Sequence, residues 1–251
     1  MKTNLMKKKL LAGEPAIGLS VMIPSPQIVE MAGALGFDWV LIDCEHGTIN
    51  LETIELMAMA AEAAGITAIA RPASNASDEI ARVMDRGVMG VQVPHIRTGS
   101  EAERAVAAVK FHPAGKRGLA LGTRPAGYDF GTSLPEYVDK ANAETLVCVQ
   151  IEDAEAVDRA ADIAAVEGVD VVFVGPSDLS QSFGYPGNPK AEPVAAAIEQ
   201  IFTATKAAGR VLGHPVKAGN IEKLKERGAL YMYTHLSHML SRGAEGIIRW
   251  R

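Results

Sequence analysis

Eight short apolar runs alternating with alanine-rich amphipathic stretches, most of the latter followed by glycine, predict an α/β chain folded as a single (β/α)8 TIM barrel. The 251 residues and 48% hydrophobic content suffice for one full barrel core, although the length alone also suits two small domains. In chain order the runs predict strands near Ala16–Val21, Trp39–Ile42, Thr67–Ala70, Val88–Val93, Leu146–Ile151, Val169–Val174, Arg210–Gly213 and Ala229–Tyr233. Helical periodicity between them fits Pro26–Leu35, Leu51–Ala64, Ser77–Arg86, Gly99–Val109, Pro135–Ala143, Ala154–Val166, Val194–Ala208 and Ile221–Arg227. Gly36, Gly65, Gly87, Gly168, Gly209 and Gly228 each stand just past a helical pattern, where a left-handed cap favours a residue without Cβ. No linker, low-complexity segment or longer repeat interrupts this order, so residues 1–251 read as one domain.

One connection is too long for a simple βα loop. From Phe111 to Leu134, after the fourth helix, the chain is rich in glycine and polar groups without helical period. Excursions of that length in a compact domain are often binding loops, disorder being the alternative, and a loop covering the active site is expected here. Arg124 and Tyr128 are its candidates for contacting a substrate's polar groups. The net charge of −5 and a single basic run, Lys7-Lys8-Lys9, argue against nucleic acid or an anionic membrane as partner. That run reads as a solvated N-terminal face. No apolar stretch of signal-peptide length follows it before Gly13, so a cytoplasmic location is expected. Cys44 and Cys148, the only cysteines, lie in predicted strand regions, which disfavours a disulfide framework or thiolate metal site.

Ionisable residues gather where the strands stop. Glu152 closes the fifth apolar run, and Asp178 lies in the turn Gly175-Pro176-Ser177-Asp178 after the sixth. Two carboxylates delivered by consecutive strands are hard oxygen donors that suit a Mg²⁺-type ion. The second run opens into Asp43-Cys44-Glu45-His46 and the third into Arg71-Pro72. In a barrel these ends converge on one face, so Asp43, His46, Arg71, Glu152 and Asp178 should share a space. Singly, each has an ordinary structural reading: a carboxylate caps a helix or starts a turn, and an arginine before proline pairs with a nearby acid. Their convergence favours chemistry.

These residues resemble the metal-dependent (class II) pyruvate aldolases of the HpcH/HpaI family. The resemblance is carried by Phe37 to Gly47, Ala70-Arg71-Pro72, Val93-Pro94, Lys116-Arg117-Gly118, Val149-Gln150-Ile151-Glu152, and Glu167 to Asp170 followed by Gly175 to Ser180, in family order over most of the chain. It implies a lyase that reversibly cleaves a 4-hydroxy-2-oxo acid to pyruvate, or a related 2-oxo acid, and an aldehyde through a metal-stabilised enolate. Glu152 and Asp178 would hold Mg²⁺, Mn²⁺ or Co²⁺. Arg71 would stabilise charge on the enolate oxygen, with His46 as acid/base group and Asp43 orienting its imidazole. Gln150 and the backbone around Gly175 and Ser177 would bind the acid. The resemblance also implies a homo-oligomer, a hexamer built as a trimer of dimers, with the C-terminal tail 237–251 a candidate for exchange between subunits.

The chain departs from the family pattern at the ends of the last two strands, where His214-Pro215 and Thr234-His235-Leu236-Ser237-His238 stand in place of smaller or apolar residues and a glycine and aspartate. His214 is therefore a further substrate-binding candidate, although rim packing explains such histidines equally well. A Schiff-base aldolase would need a lysine inside the barrel, and no predicted strand carries one; Lys217 lies beyond the seventh. His235 and His238 have no third ligand nearby in sequence for zinc. The remaining rivals are an oxaloacetate decarboxylase or citryl-type lyase using the same metal enolate, and a non-catalytic barrel.

Overall fold

In the computed structural model, which describes residues 2–131 and 133–248, eight strands pair in parallel and close on one another in sequence order. They are β1 (Ala16–Val21), β2 (Trp39–Asp43), β3 (Thr67–Arg71), β4 (Gly90–Val93), β5 (Leu146–Ile151), β6 (Val171–Val174), β7 (Val211–Pro215) and β8 (Ala229–His235). The closure is made by β8 against β1, from Ala16↔Tyr231 to Ser20↔His235. The predicted barrel is thus present, with helices interleaved outside it.

Strand alternation sorts the apolar residues into two layers. Val40, Ile42, Ala68, Ala70, Val147 and Val149 pack outward against the helices, while Trp39, Leu41, Ile69, Cys148, Phe173, Tyr231 and Tyr233 fill the interior. Burial of each large apolar side chain contributes about 1.5–3 kcal/mol. The rings of Trp39 and Tyr231 lie 4.2 Å apart, and Phe173 stacks on Tyr233 at 5.1 Å. Trp39 has room because its neighbour across the ladder is Gly18: a Cβ there would sit 2.3 Å from the indole. The barrel is a packed core.

Several expectations need correcting. The lysine run is part of a helix, Leu5–Leu11, whose Met6 and Leu10 are buried against the lower barrel interior. Asn4 caps it, Lys7 pairs with Asp170 at 3.2 Å and Lys9 with Asp38 at 2.8 Å, so the run is tied down rather than freely solvated. The stretch predicted as one helix over Ala154–Val166 is a 3₁₀ turn, Ala154–Arg159, leading into an α-helix, Ala160–Ala165. A helix also follows β6 directly, Pro176–Ser182. The C-terminal helix Leu236–Ile248 runs through Gly243 and Gly246 and buries none of its residues; residues 249–251 of the expected tail lie outside the described residues.

Among the described residues, the long connection after the helix Gly99–Val109 does not cover the C-terminal ends of this chain's strands. Arg117 bonds Asp85 at 2.7 Å, with its guanidinium 4.7 Å over the Phe111 ring, and Arg124 pairs with Glu62. Asp85 and Glu62 sit at the helix ends that precede β4 and β3. Arg124 and Tyr128 therefore line a cavity of about 390 Å³ with Gly65, Thr67 and Met89 at the N-terminal end of the barrel, away from the expected site.

Candidate active site

Inward parity continues to the strand ends, where the interior turns from aromatic to charged. Asp43 and Arg71 are Cα partners across β2 and β3, which sets their side chains side by side. Arg71 grips Asp43 through Nε to Oδ1 at 3.0 Å and Nη2 to Oδ2 at 2.6 Å, and its Nη1 lies 3.0 Å from Glu45 Oε2. Burial pushes Asp43 up, yet the hydrogen bonds and charge of Arg71 outweigh it and hold the carboxyl below the usual range. The guanidinium, 5% exposed, is a fixed cation. Asp43 also accepts the backbone N–H groups of Glu45 at 3.1 Å and His46 at 3.2 Å. It thus positions His46 through the backbone and not, as expected, through the imidazole, which is half exposed at the rim with Nε2 3.8 Å from Glu45.

A second polar line crosses β4 and β5. Buried Gln92 donates to the Gln150 side-chain carbonyl, and Gln150 donates in turn to Glu152 Oε2. Glu152 is 1% exposed, and its Oε1 accepts the His95 backbone N–H at 3.0 Å. Burial, supported by repulsion from Asp178, pushes its carboxyl up to about 7 against the hydrogen bonds from Gln150 and His95. Asp178, half-buried in the first turn of Pro176–Ser182, is therefore close enough for its charge to be felt. Gly175 lets the two strands approach: a Cβ there would fall 2.5 Å from Glu152 Oε2. Its own N–H donates to the Ile151 carbonyl at 3.1 Å, so it is not the free amide expected for a substrate carboxylate.

The remaining candidates lie at the edges. Ser177 is exposed and shares with His214, Lys217, Arg227, His235 and His238 a groove of about 1020 Å³. His214 packs edge-on against Phe202 of the outer helix Glu192–Ala207 and bonds the Pro215 carbonyl at 2.7 Å, while burial lowers its pKa. Two residues that the sequence reading did not assign belong to the centre: Glu45, within the Asp43–His46 motif, and His95, next after Val93-Pro94. Glu45, His95 and Glu152 each offer a donor atom within 4.8 Å of the others. A buried Glu152 that is repelled by Asp178, beside half-buried Glu45 and an imidazole, fits a divalent cation, whose charge would relieve that repulsion.

A parallel barrel with a locked guanidinium, a buried Glu152 and a half-buried Asp178 at the C-terminal strand ends has the layout of the barrel enzymes, whose active sites lie on that face. The chain belongs to the HpcH/HpaI aldolase/citrate lyase family, whose pattern it matches over residues 17–229. It is 37% identical over 246 residues to a 4-hydroxy-2-oxo-heptane-1,7-dioate aldolase of Shigella flexneri, covering 97% of this chain and 91% of that one. A pyruvate aldolase of Rhizobium etli is 39% identical over 213 residues, with 85% and 83% covered. Among solved structures, an HpcH/HpaI aldolase/citrate lyase family protein from Burkholderia cenocepacia superposes with a TM-score of 0.92 at 29% identity, over 99% of both chains.

Proposed function

We propose that this barrel is a divalent-metal-dependent carbon–carbon lyase that cleaves a 4-hydroxy-2-oxo acid to pyruvate, or a related 2-oxo acid, and an aldehyde, and runs the reverse addition. The observation that carries this reading is the pairing of Arg71, held charged by Asp43 and Glu45, with the buried Glu152 carboxylate whose neighbour is Asp178. Glu152 and Asp178 would hold the ion, which when bound supplies polarisation of the substrate's keto oxygen.

In the cleavage direction the C4 hydroxyl loses its proton, the C3–C4 bond breaks, and its electron pair moves to the C2 oxygen as an enolate. His46, half exposed at the rim, is the group placed to take that proton and pass it to solvent. Arg71 presents fixed positive charge toward the developing enolate oxygen without reorganising, because its other donors are already engaged. Gln150, aligned by Gln92, orients Glu152 and lines the acid-binding side. Protonation of C3 then yields the 2-oxo acid.

Chelation with EDTA is expected to abolish retro-aldol turnover and Mg²⁺, Mn²⁺ or Co²⁺ to restore it; turnover indifferent to chelation rejects the metal-assisted reading. Because the family embraces citrate lyases as well as aldolases, a second measurement separates them. An aldolase should exchange the methyl protons of pyruvate with D₂O, followed by NMR, in the absence of any aldehyde. A citryl-type lyase, whose enolate is not that of pyruvate, should not, and an oxaloacetate decarboxylase is told apart by release of CO₂ from oxaloacetate without any aldehyde product.

The reading includes a homo-oligomer, supported by the helix Leu236–Ile248, which leaves Leu240, Ile247 and Ile248 exposed at 62%, 69% and 55%. Light scattering on the full chain should give a mass several times 26.6 kDa, a hexamer being the expected form. A monomeric mass at micromolar concentration contradicts it. No described helix is long and apolar enough to cross a membrane.

A further inference from the structure

The segments that follow β6, β7 and β8 border the groove of about 1020 Å³, whose walls include Lys190, Lys217, Lys223, His235 and His238. The chain as a whole carries a net charge of −5, yet Glu199 is the one carboxylate among the groove's described lining residues, and Arg227 already pairs with it. None of the three lysines has an ion-pair partner among the described residues. Positive charge is gathered here without counter-charges.

His235 joins this groove to the reaction centre. Parity along β8 follows interior Tyr231 and Tyr233 with His235, whose Cα partner on β1 is Ser20 and whose ring stands edge-on to Tyr233 at 5.4 Å. The His238 ring is 5.3 Å from that of His235, and its Nδ1 is buried with no hydrogen-bond partner among the described residues. Burial, followed by the positive fields of His238, Arg71 and Lys217, holds His235 below the usual imidazole range against the opposing charge of Asp43. It thus senses both Arg71 and Lys217. The loop that carries Lys217 is fixed to β8, because the Val216 N–H donates to the Tyr233 carbonyl at 2.8 Å, and the Lys217 N–H donates to Asn220 Oδ1 at 2.8 Å.

We propose that this groove is a phosphate subsite, with Lys217, His235 and His238 as its donors where it meets the reaction centre, so that the aldehyde taken by the barrel carries a terminal phosphate. This rests on the aldolase reading above and names the class of its second substrate. Loops after the seventh and eighth strands are where parallel barrels commonly hold phosphate groups. The donor types favour phosphate over carboxylate. A planar carboxylate is matched by an arginine fork, and the groove's arginine is already engaged, whereas ammonium groups and imidazoles act as separate donors that suit a tetrahedral dianion approached from several sides. The 13-residue helix Leu236–Ile248 begins at the same wall with Ser237, adding the partial positive charge of its N-terminus.

The test supplies the Mn²⁺-loaded full chain with pyruvate and, in turn, glyceraldehyde 3-phosphate, glyceraldehyde and succinic semialdehyde, whose far end is a carboxylate. The phosphorylated aldehyde should exceed glyceraldehyde in kcat/KM by about 10²-fold, and Lys217→Met or His235→Gln should each cut that ratio about tenfold or more. Lys225→Met, outside the groove and paired with Glu222, should leave the ratio as it is. Calorimetry gives a readout independent of turnover: glycerol 3-phosphate should bind the metal-free chain, and about tenfold or more weakly once Lys217, an exposed side chain, is replaced by methionine. Circular dichroism establishes that each variant is folded. The inference is overturned if aldol addition proceeds with no preference for the phosphorylated aldehyde, if succinic semialdehyde is preferred to it, or if the ratio is indifferent to Lys217 and His235. Should no aldehyde be added to pyruvate while glycerol 3-phosphate still binds in a Lys217-dependent way, the lyase reading fails and the phosphate subsite stands.

Discussion

Replacing Glu152 with glutamine is expected to lower turnover by about 10³-fold or more, about 4 kcal/mol of barrier, while making the metal-free protein more stable above neutral pH. The opposition arises because one carboxylate is buried, faces Asp178 and has its pKa raised to about 7. Glutamine keeps the shape and the hydrogen bonds that an amide can form but removes the charge a cation needs. The pH dependence follows from linkage. A glutamate at 4.5 when unfolded and about 7 when folded binds its proton more tightly in the native state. Its contribution is most favourable below about 4.5 and is lost as pH rises through about 7. Metal-free wild type should therefore lose on the order of 1–3 kcal/mol between pH 5 and 8 relative to Glu152→Gln. Divalent ion should restore it to wild type alone. Denaturant midpoints at the two pH values, with and without metal, test this. A variant that is both less stable and equally metal-responsive would show that Glu152 is neither strained nor a ligand.

Much of the site is legible in sequence because strand parity does the sorting. Once Trp39 and Leu41 are interior, Asp43 must be interior too, and the same period of two carries Cys148 to Gln150 and Glu152. The shared register of Asp43 and Arg71 then makes their ion pair unavoidable. What escaped depends on contacts or backbone angles that no local pattern encodes. His95 reaches the centre only through a left-handed turn after β4, so Val93-Pro94 reads as a strand exit and nothing more. Arg124 sits on a segment rich in glycine, whose path is set by distant partners, Glu62, Asp85 and the Phe111–Tyr137 contact. The N-terminal helix could have been found: Met6 and Leu10, four residues apart, flank the lysines that distracted from them.

Arg71 is the other residue whose loss should be felt at once in stability and rate, and two substitutions divide those effects. Arg71→Ala strips the guanidinium from Asp43, a carboxylate with no exposed surface, and should cost about 3–5 kcal/mol in unfolding free energy. Arg71→Lys keeps the positive charge but cannot bond both Asp43 oxygens and reach Glu45 together, since an ammonium is a point charge where the guanidinium is a fork. Its stability cost should be smaller, about 1–3 kcal/mol, while turnover still falls about 10²–10³-fold, because the charge no longer stands where the enolate oxygen develops. If that charge acts on the transition state, the loss lies in kcat rather than in KM. Asp43→Asn provides the contrast: it weakens the grip on Arg71 but leaves the guanidinium beside Glu45, so its kinetic loss should be less than that of Arg71→Lys. Retention of wild-type kcat by Arg71→Lys would mean that Arg71 serves only to neutralise Asp43, and the positive charge at the enolate oxygen would then have to come from the cation alone.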